Sequence, residues 1–74
     1  MDTVLDTRGL ACPLTALKAR LALPGVPAGA ALVVLATDPE APIDLAALAA
    51  DAGCAFTAER EAGGWRCTLS RLDE

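Results

Sequence analysis

The residue with the strongest claim to chemistry is Cys12, set directly before Pro13 where a helical pattern begins. Backbone amides and the helix dipole stabilise an anion at a helix N-terminus. That is the setting in which a thiol pKa falls and the thiolate becomes available as a nucleophile. The same positive end would stabilise the terminal anion of a persulfide. Gly9 lets the chain turn tightly ahead of the helix and brings Cys12 to an exposed corner. A blander reading stands beside this one, in which Cys12 is only a small residue filling the cap position. Cysteine, however, is not a preferred cap and is more often buried.

The chain has no histidine, so Cys12 has no imidazole base and a His-ligated metal is excluded. The other cysteines, Cys54 and Cys67, form no Cys-x-x-Cys pair, which speaks against a zinc knuckle and a thioredoxin-type dithiol. Chemistry at Cys12 must therefore be simple: it attacks or is attacked, and a partner supplies the machinery. Asp38 and Asp44 offer two carboxylates but no third ligand, so no metal or cofactor is expected. Their expected role is capping and first-turn charge on a second helix. Gly63-Gly64 precedes no helix and is read as a hairpin loop, not a phosphate cradle. Trp65 is expected in the core. Arg8, Lys18 and Arg20 fit either a small basic patch for a partner beside Cys12 or a solvated helix face.

Those residues must be positioned by a small frame. The chain has 74 residues, enough for one domain, and 54% of them are apolar, mostly Ala and Leu. A core of such side chains leaves no room for a large enclosed ligand pocket. Six basic residues against ten acidic ones, with 3% aromatics, exclude a general nucleic-acid binder. The chain shows no signal-peptide pattern and no stretch of the roughly 20 apolar residues that span a bilayer. With an odd cysteine count, the expectation is a cytoplasmic protein.

Thr3 to Asp6 has strand character. From Pro13 to about Leu23 the pattern is helical, with Leu14, Leu17 and Leu21 at i, i+3 and i+7 as the apolar stripe. Pro13 suits the first helical position, which makes Cys12 the N-cap. Ala31 to Thr37 is a continuous apolar run of strand length, read as a central strand. A second helix is expected from between Pro39 and Ile43 to about Ala52, with Gly53 at its left-handed end. Two alternating strands follow: Cys54, Phe56 and Ala58 share one face, and Trp65, Cys67 and Leu69 share another. A loop at Glu61–Gly64 pairs Arg60 with Trp65, Ala58 with Cys67, Phe56 with Leu69, and Cys54 with Arg71. In that register Cys67 lies about 13 Å along the ladder from Cys54 at ~3.4 Å per residue, too far for a disulfide. The order is β-α-β-α-β-β. The predicted fold is an α/β (α+β) two-layer sandwich, a four-stranded mixed sheet with both helices on one face. Its polar open face favours a monomer that forms transient complexes.

The run Leu5-Asp6-Thr7-Arg8-Gly9-Leu10-Ala11-Cys12-Pro13, followed by Lys18 and Arg20, resembles the small sulfur carriers of the TusA/SirA type. Their pattern is Leu-Asp, two residues, Gly-Leu, one residue, then Cys-Pro-x-Pro. Asp38-Pro39, with Ile43 and Asp44 before a helix, matches a second motif. The resemblance covers nearly the whole chain and implies the same β-α-β-α-β-β fold. It implies a sulfurtransferase-type carrier whose Cys12 takes sulfur as a persulfide from a cysteine desulfurase or rhodanese-like donor. An acceptor protein would then take that sulfur in a relay. Pro13 would orient Cys12; Arg8, Gly9, Leu10, Lys18 and Arg20 would meet partners; Asp38 and Asp44 would belong to the second loop. The chain departs from the pattern at Thr15, in place of the second proline, and at Ala11, where the best-known members carry a basic residue. Alternatives on the same scaffold are a non-catalytic adaptor, a thiol redox sensor and a selenium carrier.

Overall fold

The computed structural model describes residues 2–11 and 13–71. Four strands and two helices follow in the expected order. They are β1 (Thr3–Asp6), α1 (Leu14–Ala22), β2 (Ala31–Ala36), α2 (Ala41–Ala52), β3 (Cys54–Glu61) and β4 (Gly64–Arg71). A single 3-10 turn, Leu23–Gly25, closes α1. The sheet order is β1-β2-β4-β3, with β1 parallel to β2 and the other neighbours antiparallel. It is the mixed two-layer sandwich expected from the periodicity.

The apolar run of β2 is central because strands flank it on both sides, and five of its six residues are buried. Leu32 and Val34 face the helices together with Cys67 and Leu69 of β4. Leu45, Leu48 and Ala49 of α2 and Ala19 of α1 close the core from above. Fully buried leucines such as Leu32, Leu45 and Leu69 each contribute about 1.5–3 kcal/mol. The hairpin takes the expected register, from Cys54 opposite Arg71 to Arg60 opposite Trp65. Glu61 also pairs with Gly64, so the turn proper is Ala62-Gly63, with Gly63 at φ 78°. Cys54 and Cys67 are free thiols.

Two expectations about α1 are corrected. Leu14, Leu17 and Leu21 are 46%, 48% and 72% exposed, so the predicted stripe faces away from the core. The inward line is Thr15, Ala19 and Leu23, at i, i+4 and i+8. At ~100° per residue, those positions lie on nearly the opposite side of the helix. Both lines satisfy the helical period, and the small Thr15 and Ala19 let α1 approach its neighbours more closely than leucines would. Second, Leu14 is the first helical residue and Pro13 takes the cap position, at φ −97° and ψ 14°. Its ψ bends the chain out of helical geometry, and the first helical bond runs from the Leu17 amide to the Pro13 carbonyl at 3.0 Å. Cys12, expected as the cap, lies outside the described residues.

Candidate functional site

The segment that leads to Cys12 is fastened to the end of β2. Thr7 is fully buried, and its amide and hydroxyl both donate to the Leu35 carbonyl, at 2.8 and 2.7 Å. Its own carbonyl accepts the Leu10 amide at 3.1 Å, closing a turn over Arg8 and Gly9. Gly9 sits at φ 87°, a left-handed conformation that a side chain would strain. The Gly9 amide donates to Thr37 Oγ1 at 2.9 Å. On the far side, the Leu14 amide donates to the Ala11 carbonyl at 2.8 Å, so the chain turns once more into α1.

Thr37 joins this turn to the second loop. Asp38 follows it, and Asp38 Oδ1 accepts the Glu40 amide at 3.0 Å while the Asp38 carbonyl accepts the Ala41 amide at 3.0 Å. The carboxylate thus holds the turn before α2, and the Glu40 side chain at the cap position makes no capping hydrogen bond. Asp44 occupies the first turn of α2, where a negative charge suits the dipole. The structure therefore brings the Gly9–Leu10 turn, the start of α1 and the Asp38 loop to one end of the sheet.

The basic residues divide. Arg8 grips Asp6 with Nε and Nη2, at 2.9 and 2.7 Å, and its amide adds a third bond to Asp6 Oδ1 at 3.0 Å. These contacts, the side-chain bond foremost, hold the Asp6 carboxyl at about 2, and the carboxylate in turn raises the Arg8 pKa. Lys18 is exposed on α1. Arg20 sits in the last turn of α1, about 9 Å along the axis from Leu14. There it lines a cavity of about 330 Å³ with Leu23, Pro24, Leu48, Ala52 and Arg71. Arg71 Nη1 donates to the Leu23 carbonyl at 3.2 Å. Arg20 thus belongs to the opposite end of α1 and does not join Arg8.

Of the described thiols, Cys67 is fully buried and burial pushes its pKa up, which keeps it protonated. Among the described residues, no group of three or more His, Cys, Asp and Glu side chains could hold a metal ion. Thr7 and Thr37 were not singled out by sequence reasoning; the visible signal was a hydroxyl residue closing each of two apolar strands. Thr15, the departure from the family pattern, stays helical and is 2% exposed, with no hydrogen-bond partner for its hydroxyl among the described residues. Trp65 is half-buried against the core and carries the Arg60 guanidinium 4.8 Å above its ring.

Comparison with known proteins agrees with this geometry. The family described as sulfurtransferase TusA matches residues 3–71. A sulfur carrier protein TusA from Allochromatium vinosum is 40% identical over 63 residues, covering 85% of this chain and 83% of that protein. The crystal structure of a SirA-like protein from Desulfitobacterium hafniense superimposes with a TM-score of 0.84 over 99% of this chain and 100% of that one, at 24% identity. That structure shares the four-stranded mixed sheet with its two helices.

Proposed function

The chain belongs to the sulfurtransferase TusA family, and we propose that it is a sulfur carrier whose cargo rides as a persulfide on Cys12. The observation that carries this reading is Cys12-Pro13 at the entry to α1, inside the family match and behind a turn fastened to β2. The anchored turn supports a fixed sulfur position, and the positive end of α1 supports an anionic sulfur.

The transfer is an exchange without net oxidation. The Cys12 thiolate attacks the outer sulfur of a donor persulfide, the donor S–S bond breaks, and the donor cysteine leaves as a thiolate. The outer sulfur, with any proton it bears, is now bonded to Cys12 Sγ. An acceptor thiolate then attacks that outer sulfur and releases Cys12 as thiolate. The chain is consumed and restored once per relay, so it acts stoichiometrically between a donor and an acceptor. A cysteine desulfurase or a rhodanese-like protein fits the donor role, because each presents a protein persulfide. No helix among the described residues is long and apolar enough to cross a membrane.

Intact-protein mass spectrometry after incubation with a cysteine desulfurase and cysteine tests the proposal. The expected result is a gain of one sulfur atom, reversed by reductant and absent in Cys12→Ser. No gain from desulfurase or rhodanese-type donors would overturn it.

A further inference from the structure

A second cleft, of about 220 Å³, opens between the Thr37–Pro39 segment and the β3–β4 hairpin. Thr37, Pro39, Arg60, Gly63, Gly64 and Trp65 line it. It lies at the same end of the sheet as the Gly9–Leu10 turn, because the Thr37 hydroxyl on its wall is the group that accepts the Gly9 amide. A segment seated there would rest against the support of the Cys12 turn.

The chemistry of the cleft is specific. Arg8 and Arg66 are neutralised by Asp6 and Glu61, whereas Arg60 forms no salt bridge among the described residues. Its guanidinium lies over Trp65, and stacking of that kind leaves the in-plane N–H donors open to a carboxylate. Neighbouring acids are engaged elsewhere. Glu61 is held by Arg66 at 2.8 Å, and Glu59 shares the Arg66 side of the hairpin, opposite to the Arg60–Trp65 side. Asp38 Oδ1 takes the Glu40 amide. Pro39 and the Trp65 ring add apolar surface, and Gly63 and Gly64 leave backbone uncovered. A side chain at Gly64 would run into the Ala36 carbonyl, so the hairpin lies directly against the end of β2. In a chain of net charge −4, this cleft presents a cation on an aromatic platform.

We propose that the cleft docks an extended acidic segment of a partner protein, with a carboxylate on Arg60 and an apolar side chain against Trp65 and Pro39. Its use in presenting a partner to Cys12 rests on the sulfur-carrier reading; the binding itself does not.

Trp65 is the sole tryptophan, so its emission reports on the cleft directly. The probe is a blocked pentapeptide alternating Asp or Glu with Leu, titrated beside its Asn/Gln counterpart. The acidic peptide is expected to change Trp65 emission saturably, more weakly at high salt, and the amide peptide to leave it unchanged. Arg60→Glu should weaken binding by about tenfold or more, and Arg60→Lys by less. Arg60 is exposed, so both variants should stay folded, with a melting midpoint lowered by no more than the lost contact with Trp65. No saturable response, equal responses to both peptides, or an unaffected Arg60→Glu would overturn the proposal. Protein that binds the peptide but takes no sulfur overturns the carrier reading alone. Protein that loads sulfur but ignores the peptide overturns the cleft alone.

Discussion

The carbonyl oxygen of Leu35 receives two hydrogen bonds from one residue, the amide and the hydroxyl of Thr7. This doubled bond ends the β1–β2 pairing and turns the chain toward the Gly9 turn, with Thr7 itself fully buried. Thr7→Val keeps the shape and loses the hydroxyl bond. It should cost about 1 kcal/mol, read as a lower urea midpoint, and Thr7→Ser should recover most of it. A valine variant as stable as wild type would mean that the amide alone holds the turn.

Cysteine reactivity should separate sharply in the folded protein. Cys67 is buried with a raised pKa and should resist iodoacetamide until the chain is denatured. Cys12 should label much faster than either Cys54 or Cys67, as read by peptide mapping over time. Equal, slow labelling of all three would remove the basis for a nucleophilic Cys12.

Thr15 carries a hydroxyl with no partner among the described residues, in a site that is 2% exposed. Thr15→Val replaces that hydroxyl with a methyl group of similar shape. Removing a buried unsatisfied group should raise stability by about 1 kcal/mol, visible as a higher thermal midpoint. A loss of stability would show that the hydroxyl is satisfied in solution.

Acid should expose the Asp6–Arg8 contact. Arg8 holds the folded Asp6 carboxyl at about 2, below the ordinary value of 3.8. A depressed carboxyl contributes stability above its unfolded pKa and loses that contribution as pH falls through the folded value. The stability difference between wild type and Asp6→Asn should therefore be largest above about pH 4 and shrink toward pH 2. The pair is fully exposed, so the difference is expected to be small. Paired urea titrations from pH 2 to 6 measure it, and a difference that does not change with pH would refute the linkage.

Much of the frame was legible because local chemistry forces it. Alternation in 54–61 and 64–71 and a short Gly-bearing turn leave one register that keeps Cys67 and Leu69 inward, and the strands adopt it. Gly53 ends α2 at φ 73°, as its position after an Ala-rich helix implies. The start of α1 was legible only to within one residue, since Pro13 takes the cap position and Leu14 begins the helix. The face of α1 was not legible. Leu14, Leu17, Leu21 and Thr15, Ala19, Leu23 both repeat at the helical period, and hydrophobicity favours the leucines. Close approach of the helix favours the small residues, and only the assembled layer decides between them.

The sequence by itself determined the strands, the helices and their order, because each follows from neighbours within a few residues. Contacts between residues far apart in the chain lay beyond it. Thr7 to Leu35 and Gly9 to Thr37 each span 28 positions, and Arg71 to Leu23 spans 48. Those bonds form only once β1 lies beside β2 and β4 reaches the end of α1. Tertiary structure thereby decided that the Gly9 turn is fastened to the Asp38 loop through Thr37, that Arg20 shares a cavity with Leu48, Ala52 and Arg71, and that the Arg60–Trp65 pair faces Thr37 and Pro39.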